Sequence, residues 1–108
     1  MRLILMNSSV MPTSGKYECA YVDMDTWIKA FKKLYAKKKT FINTIGYPQT
    51  AAHVSKILNI EVPENRVNTE LIGGDIMFVC KLEQRVADPS TKGAEQTTPF
   101  AYAIVNFK

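Results

Sequence analysis

The 108-residue chain predicts an α+β fold: one small domain with a mixed, mainly antiparallel β-sheet flanked by helices. Three observations predict it. Apolar runs of strand length occur at 2–6, 76–82 and 100–107. One long segment, 24–38, carries apolar residues at helical spacing. Turn signals at Thr13-Ser14-Gly15 and Gly73-Gly74-Asp75 punctuate the chain. No repeat and no change in composition divides it, so 1–108 reads as one domain, with 87–98 as a flexible loop.

Arg2 to Met6 reads as a central strand, and Asn7-Ser8-Ser9 follows at once. Small polar side chains just past a buried strand suit a pocket wall, where hydroxyls, amides and backbone N–H groups converge; a simple turn fits them too. Lys16 to Val22 alternates as a half-exposed strand, with Tyr17, Cys19 and Tyr21 on one face. Asp23 is suited to cap the helix from Met24 to Lys38. Trp27, Ile28, Phe31, Leu34 and Tyr35 form its apolar stripe, so Trp27 is expected in the core rather than as a stacking platform. Lys29, Lys32, Lys33, Lys37, Lys38 and Lys39 make its other face and its end basic. That suits a solvated face as well as a nucleic-acid backbone.

Thr40-Phe41-Ile42 leads into the stretch around which the chain is organised, Ile42 to Arg66. Gly46 supplies a backbone angle closed to other residues, and Pro48 fits the first turn of a short helix running to Leu58. Ala51, Val54, Ile57 and Leu58 lie along one side of that helix. A helix start exposes unpaired N–H groups and the positive end of the dipole, which makes it an anion site as readily as a turn. Beyond Pro63, segments 66–71 and 76–82 are expected to pair as a hairpin around Gly73-Gly74-Asp75. The second of these has an apolar centre suited to burial on both faces. The hairpin would bring Arg66 and Arg85 to one sheet edge, where two guanidiniums suit phosphate recognition or backbone carbonyls. Residues 88–98 read as a polar loop, and Phe100 to Phe107 as the last strand.

Composition narrows the function classes. The hydrophobic share is 46% and the charged share 22%, ordinary for a globular domain. No apolar run approaches the roughly 20 residues of a membrane span, and the opening apolar run is too short for a signal peptide. A cytoplasmic place, with no membrane partner, is expected. The formal charge of +4 suits an anionic partner. Cys19 and Cys80 lack metal-ligand spacing and are expected as two buried thiols, with no metal and no cofactor. His53 is the single histidine. No carboxylate is forced beside it, so no triad is read there, and a surface or half-buried place is expected.

Taken together, Leu5-Met6-Asn7-Ser8-Ser9-Val10, Thr44-Ile45-Gly46 followed by Thr50-Ala51, Val62-Pro63 with Asn65-Arg66-Val67, Gly74-Asp75 and Gln84-Arg85 resemble a known family. It is the anti-CRISPR ring nucleases of type III systems, carried by viruses and mobile elements, with their bacterial and archaeal relatives. The resemblance spans about residues 3 to 86. It implies a two-fold homodimer enclosing a cyclic oligoadenylate, typically cyclic tetra-adenylate, at its interface. It also implies metal-free cleavage, in which a ligand 2′-hydroxyl attacks the adjacent phosphate and a histidine after the Ile-Gly protonates the leaving oxygen. On this resemblance Asn7, Ser8, Gly46, Thr50, Arg66 and Arg85 bind ligand, and Tyr47 and Arg85 hold the catalytic positions.

The chain departs from the family at Tyr47, which stands where the histidine belongs. Tyrosine has a reference pKa near 10 against about 6.5 for histidine, so it donates a proton poorly near neutrality. His53, one and a half helical turns further on, points elsewhere. Asp88 stands for a family glutamate, and the 88–98 loop replaces a helix. The reading that follows is a messenger-sequestering protein with slow or no cleavage, in the host cytoplasm if a virus or mobile element encodes it. An active ring nuclease is the alternative, and a sequence-indifferent nucleic-acid binder is a third. The first reading expects no stable nucleic-acid partner.

Overall fold

The computed structural model describes residues 2–7, 16–67, 70–82 and 100–108. The turn expected at 13–15 and the loop expected at 87–98 lie outside these residues. The described chain contains β1 (Leu3–Met6), β2 (Tyr17–Val22), α1 (Met24–Lys38), β3 (Ile42–Asn43), α2 (Pro48–Leu58), β4 (Ile76–Leu82) and β5 (Phe100–Phe107). The strands form one mixed sheet in the order β2-β5-β4-β1-β3. Its longer ladders, β2 with β5 and β4 with β5, are antiparallel; β1 runs parallel to both β4 and β3.

The long helix forms as its sequence dictates. The Asp23 carboxylate accepts from the Thr26 N–H at 2.7 Å, satisfying one orphan donor of the first turn. The helix stops where Lys39 takes a left-handed conformation, φ 61°, and its N–H bonds Tyr35 O at 2.7 Å. Trp27 and Phe31 are fully buried. They pack in tilted and edge-on contacts against Phe78 and Tyr102, and the indole N–H donates to Ala103 O at 3.1 Å. The lysines of α1 are all exposed.

Both helices cover the same sheet face. Trp27 and Phe31 from α1 and Ala51, Val54 and Leu58 from α2 share one core with Leu3, Leu5, Phe78, Cys80 and Tyr102. Alternation along the strands sends Ile4, Met77, Val79, Ala103 and Val105 to the opposite face, where they form a second buried cluster. β4 is buried on both faces through its centre, as its apolar run predicts.

Three expectations are corrected. Segment 66–71 forms no hairpin with β4 among the described residues. Ile76 to Val79 pair instead with Leu3 to Met6, so the side of β4 that the hairpin needed is taken by β1. Gly73 and Gly74 still make a turn, with Gly74 at φ +97°, and Arg2 locks it: its guanidinium holds the buried Asp75 carboxylate at 3.0 and 2.6 Å and donates to Glu70 O at 2.8 Å. Cys80 is buried, but Cys19 is exposed, because β2 is an edge strand that neither helix covers. Gly46 does not use a left-handed angle; among the described glycines only Gly74 does.

Candidate functional site

The carboxyl ends of the parallel strands β1 and β3 meet the start of α2. In sheets of this kind, that is where loops gather polar groups. Thr44 fixes the meeting: its N–H and its hydroxyl both donate to Leu5 O, at 2.9 and 2.8 Å. One residue past β1, the Asn7 side-chain oxygen accepts from the Gly46 N–H at 3.2 Å. The strand end and the helix loop are thereby joined by a side chain as well as by the ladder.

A second segment braces the corner from outside. Asn65 N–H donates to Ile45 O at 2.6 Å, and its amide to Asn43 O at 2.7 Å. Asn43 answers with its amide to Pro63 O at 2.6 Å and accepts from the Ile45 N–H at 3.0 Å. Short amides serve here because each both donates and accepts. Ser55 adds a third tie, donating to Val62 O at 3.0 Å and accepting from Val62 N–H at 2.9 Å.

This bracing explains Gly46. A Cβ at that position would stand 3.2 Å from both the Cβ and the Cγ of Arg66, so the glycine serves close approach of the two segments. Arg66 is exposed and its guanidinium lies 3.5 Å from Gly46 O, at the outer limit of a hydrogen bond. Arg66 is therefore placed at the corner by packing against Gly46, and the hairpin expected to place it is not formed among the described residues.

At the helix start above the corner, Tyr47, Pro48 and Gln49 are exposed. Tyr47 is the N-cap residue, 46% exposed, and its side chain caps nothing. Pro48 brings no N–H, and the first helical bond runs from Ala51 N–H to Tyr47 O at 2.9 Å. Gln49 and Thr50 N–H groups precede that bond and find no acceptor among the described residues. No acidic side chain occupies the first turn. The Thr50 hydroxyl is fully buried and has no partner among the described residues. The corner thus offers donors and a positive dipole end to an anion.

Asn7 and Arg66 are each brought into contact with Gly46, and Tyr47 and Thr50 adjoin it through the start of α2. Ser8, Gln84, Arg85 and Asp88 lie outside the described residues. Asn43, Asn65 and Ser55 were missed as parts of the corner; the short amides flanking the Ile-Gly and preceding Arg66 were the available signal.

His53 belongs to a separate cluster deeper along α2. It is half-buried, as expected, with its ring stacked on Phe100 at 4.0 Å and its Nε2 2.6 Å from the Tyr102 hydroxyl. Burial, and then the Lys56 charge, lowers its pKa. Burial pushes Tyr102 up to about 12, with Cys80 beside it adding to the rise. Neither residue bonds to the corner. Among the described residues no three of His, Cys, Asp and Glu stand together as metal ligands, and no helix is long and apolar enough to cross a membrane.

Comparison with known proteins places these features in a family. A family model described as STIV B116-like matches residues 3–103. Uncharacterized protein 26 of Sulfolobus islandicus filamentous virus (isolate Iceland/Hveragerdi) is 26% identical over 107 residues, covering 98% of this chain and 90% of that one. Among solved structures, B116 of Sulfolobus turreted icosahedral virus superposes with a TM-score of 0.74 at 18% identity, over 98% of this chain and 99% of that one. At that identity the likeness is one of fold.

Proposed function

The chain belongs to the STIV B116-like family, and on that premise we propose that it is an anti-defence protein that captures a cyclic oligonucleotide messenger. The ligand class, cyclic tetra-adenylate or a close relative, comes from the resemblance of its motifs to the ring nucleases. The viral source of the two relatives named above fits that role.

The observation that carries the reading is the exposed start of α2. Its first N–H groups and the Thr50 hydroxyl, which have no partner among the described residues, adjoin Gly46, and Asn7 and Arg66 each contact Gly46. A phosphate set there would accept from the backbone and lie beside a guanidinium. Two such corners facing each other across a two-fold axis would hold a ring of phosphates alike on both sides.

Capture without fast cleavage follows from Tyr47. General acid catalysis supplies about a hundredfold to ten-thousandfold, and the N-cap position at the corner carries a phenol in place of an imidazole. A ligand held but not cut is withdrawn from its effector in proportion to the protein present.

Labelled cyclic tetra-adenylate, incubated with the protein and then resolved, tests this. Tight retention of intact ligand supports the reading. Conversion to linear di-adenylate with cyclic phosphate ends would make the protein a working nuclease. Weak binding of any nucleic acid, falling steeply with salt, would replace both readings with a backbone binder.

A further inference from the structure

Resting on the function proposed above, we infer that the Tyr47 ring is the platform on which a base of the captured nucleotide stacks. The groups beside it hold phosphate; Tyr47 selects the phosphates that carry a large base.

The tyrosines of the described chain divide by their surroundings. Tyr35 stacks on Phe31 and meets Phe41 edge-on. Tyr102 lies tilted on Trp27, with its hydroxyl 2.6 Å from His53 Nε2. Tyr17 and Tyr21 belong to β2, at the far edge of the sheet from β3. Tyr47 alone stands at the polar corner. It is 46% exposed and its side chain caps nothing. Among the described residues no aromatic ring packs on it. The N-cap position favours Ser, Thr, Asp and Asn, whose side-chain oxygens reach an N–H of the first turn. A phenol there forgoes that bond, so the folding of α2 does not account for the ring.

The backbone under the ring is fixed on both sides. Ile45 and Gly46 are buried. Asn65 N–H donates to Ile45 O at 2.6 Å, and Gly46 N–H donates to the Asn7 side chain at 3.2 Å. On the other side Pro48 locks its own φ, and Tyr47 O accepts the first helical bond from Ala51 N–H at 2.9 Å. Tyr47 is extended between these ties, at φ −112° and ψ 125°. Its ring has only two torsions left to settle when a ligand lands, so it offers contact area at low cost in entropy.

The phosphate groups of the site adjoin it. The Gln49 and Thr50 N–H groups follow within three residues, together with the buried Thr50 hydroxyl that has no partner among the described residues. Arg66 packs on Gly46, the residue before the ring. A nucleotide carries its charge and its flat base a sugar apart. A phosphate at the helix start therefore sends its base over the exposed rim of Tyr47, Pro48 and Gln49. Of these three only Tyr47 presents an aromatic face. Stacking on such a face is worth roughly five- to hundredfold in affinity per base. A purine covers more of the ring than a pyrimidine, so the platform favours adenine over uracil.

Calorimetric titration of the full chain with cyclic tetra-adenylate, cyclic tetra-uridylate and inorganic pyrophosphate tests this, in the wild type, Tyr47→Phe and Tyr47→Leu. Tyr47→Phe keeps the ring and should bind each ligand within about threefold of the wild type. Tyr47→Leu keeps bulk without the aromatic face. It should weaken cyclic tetra-adenylate at least about tenfold and cyclic tetra-uridylate less, so that the preference for adenine narrows. Pyrophosphate has no base and should bind all three proteins alike. Undiminished retention of cyclic tetra-adenylate by Tyr47→Leu overturns the platform and leaves the proposed function standing. So does a loss of equal size for all three ligands, or a loss in Tyr47→Phe as large as in Tyr47→Leu. A wild type that binds neither cyclic nucleotide removes the proposed function and the platform with it.

Discussion

His53 Nε2 stands 2.6 Å from the Tyr102 hydroxyl, tying α2 to the last strand through the one histidine of the chain. The pair lies in the helix-covered core, between the Phe100 ring and the Trp27 cluster.

This pair sets a pH dependence. Burial and Lys56 lower the His53 pKa in the fold, so below the reference value the unfolded chain binds the proton more readily. The stability His53 contributes is complete above about pH 6.5 and declines as pH falls below it. Asp75 acts lower down. Burial alone would raise its pKa, but the Arg2 and Ile72 hydrogen bonds and the Arg2 charge together hold it below the usual carboxylate range. Its contribution is present above about pH 4 and is lost as pH falls further. Denaturant titrations from pH 8 to 3 should show two declining stages. His53→Gln should remove the first and Asp75→Asn the second; one unbroken slope that neither variant alters would contradict this.

Gly46→Ala should damage the corner by crowding. The added methyl meets Arg66 at 3.2 Å, and Asn65 cannot withdraw without losing its bonds to Ile45 and Asn43. A stability loss of about 1–3 kcal/mol is expected, together with weaker nucleotide binding, read from urea midpoints and ligand titration. A fully tolerated alanine would mean that the two segments are held less closely than described.

Thr50→Val separates folding from binding. The Thr50 hydroxyl is buried and has no partner among the described residues, so a methyl of similar shape should leave stability unchanged or raise it by up to about 1 kcal/mol. Affinity for cyclic tetra-adenylate should fall about tenfold, equivalent to one hydrogen bond of about 1.4 kcal/mol. Equal affinity in the two proteins would remove this hydroxyl from the binding surface.

Tyr47→His should confer cleavage. Tyr47 is exposed and caps nothing with its side chain, so the substitution is expected to change stability by less than about 0.5 kcal/mol. Product analysis should show turnover at least about a hundredfold above the wild type. Continued retention of intact ligand would mean that position 47 does not reach the leaving oxygen.

Much of the fold is legible locally. Asp23 and the Trp27-Phe31-Tyr35 spacing mark out α1, because a cap and a 3.6-residue period are properties of one continuous segment. The apolar runs of β4 and β5 likewise announce themselves. The site is half legible. Asn7, Gly46, Thr50 and Arg66 are visible as a polar group after a strand and a loop before a helix, but the reason given for Gly46 was the wrong one. The close approach of Arg66 is a contact across 20 residues, and no local pattern encodes it.

The sequence by itself determined α1 with its Asp23 cap, α2, the strands β1, β2, β4 and β5, and the polar chemistry of the helix start, since each depends on neighbours within a few residues. Only the tertiary structure decided which strand fills each side of β4, why Gly46 must lack a side chain, and that Cys19 lies open on an edge. Those outcomes depend on which distant segments compete for the same hydrogen-bonding edge or the same space. The glycine pair before β4 signals a turn equally well whether 66–71 or β1 lies beside the strand that follows.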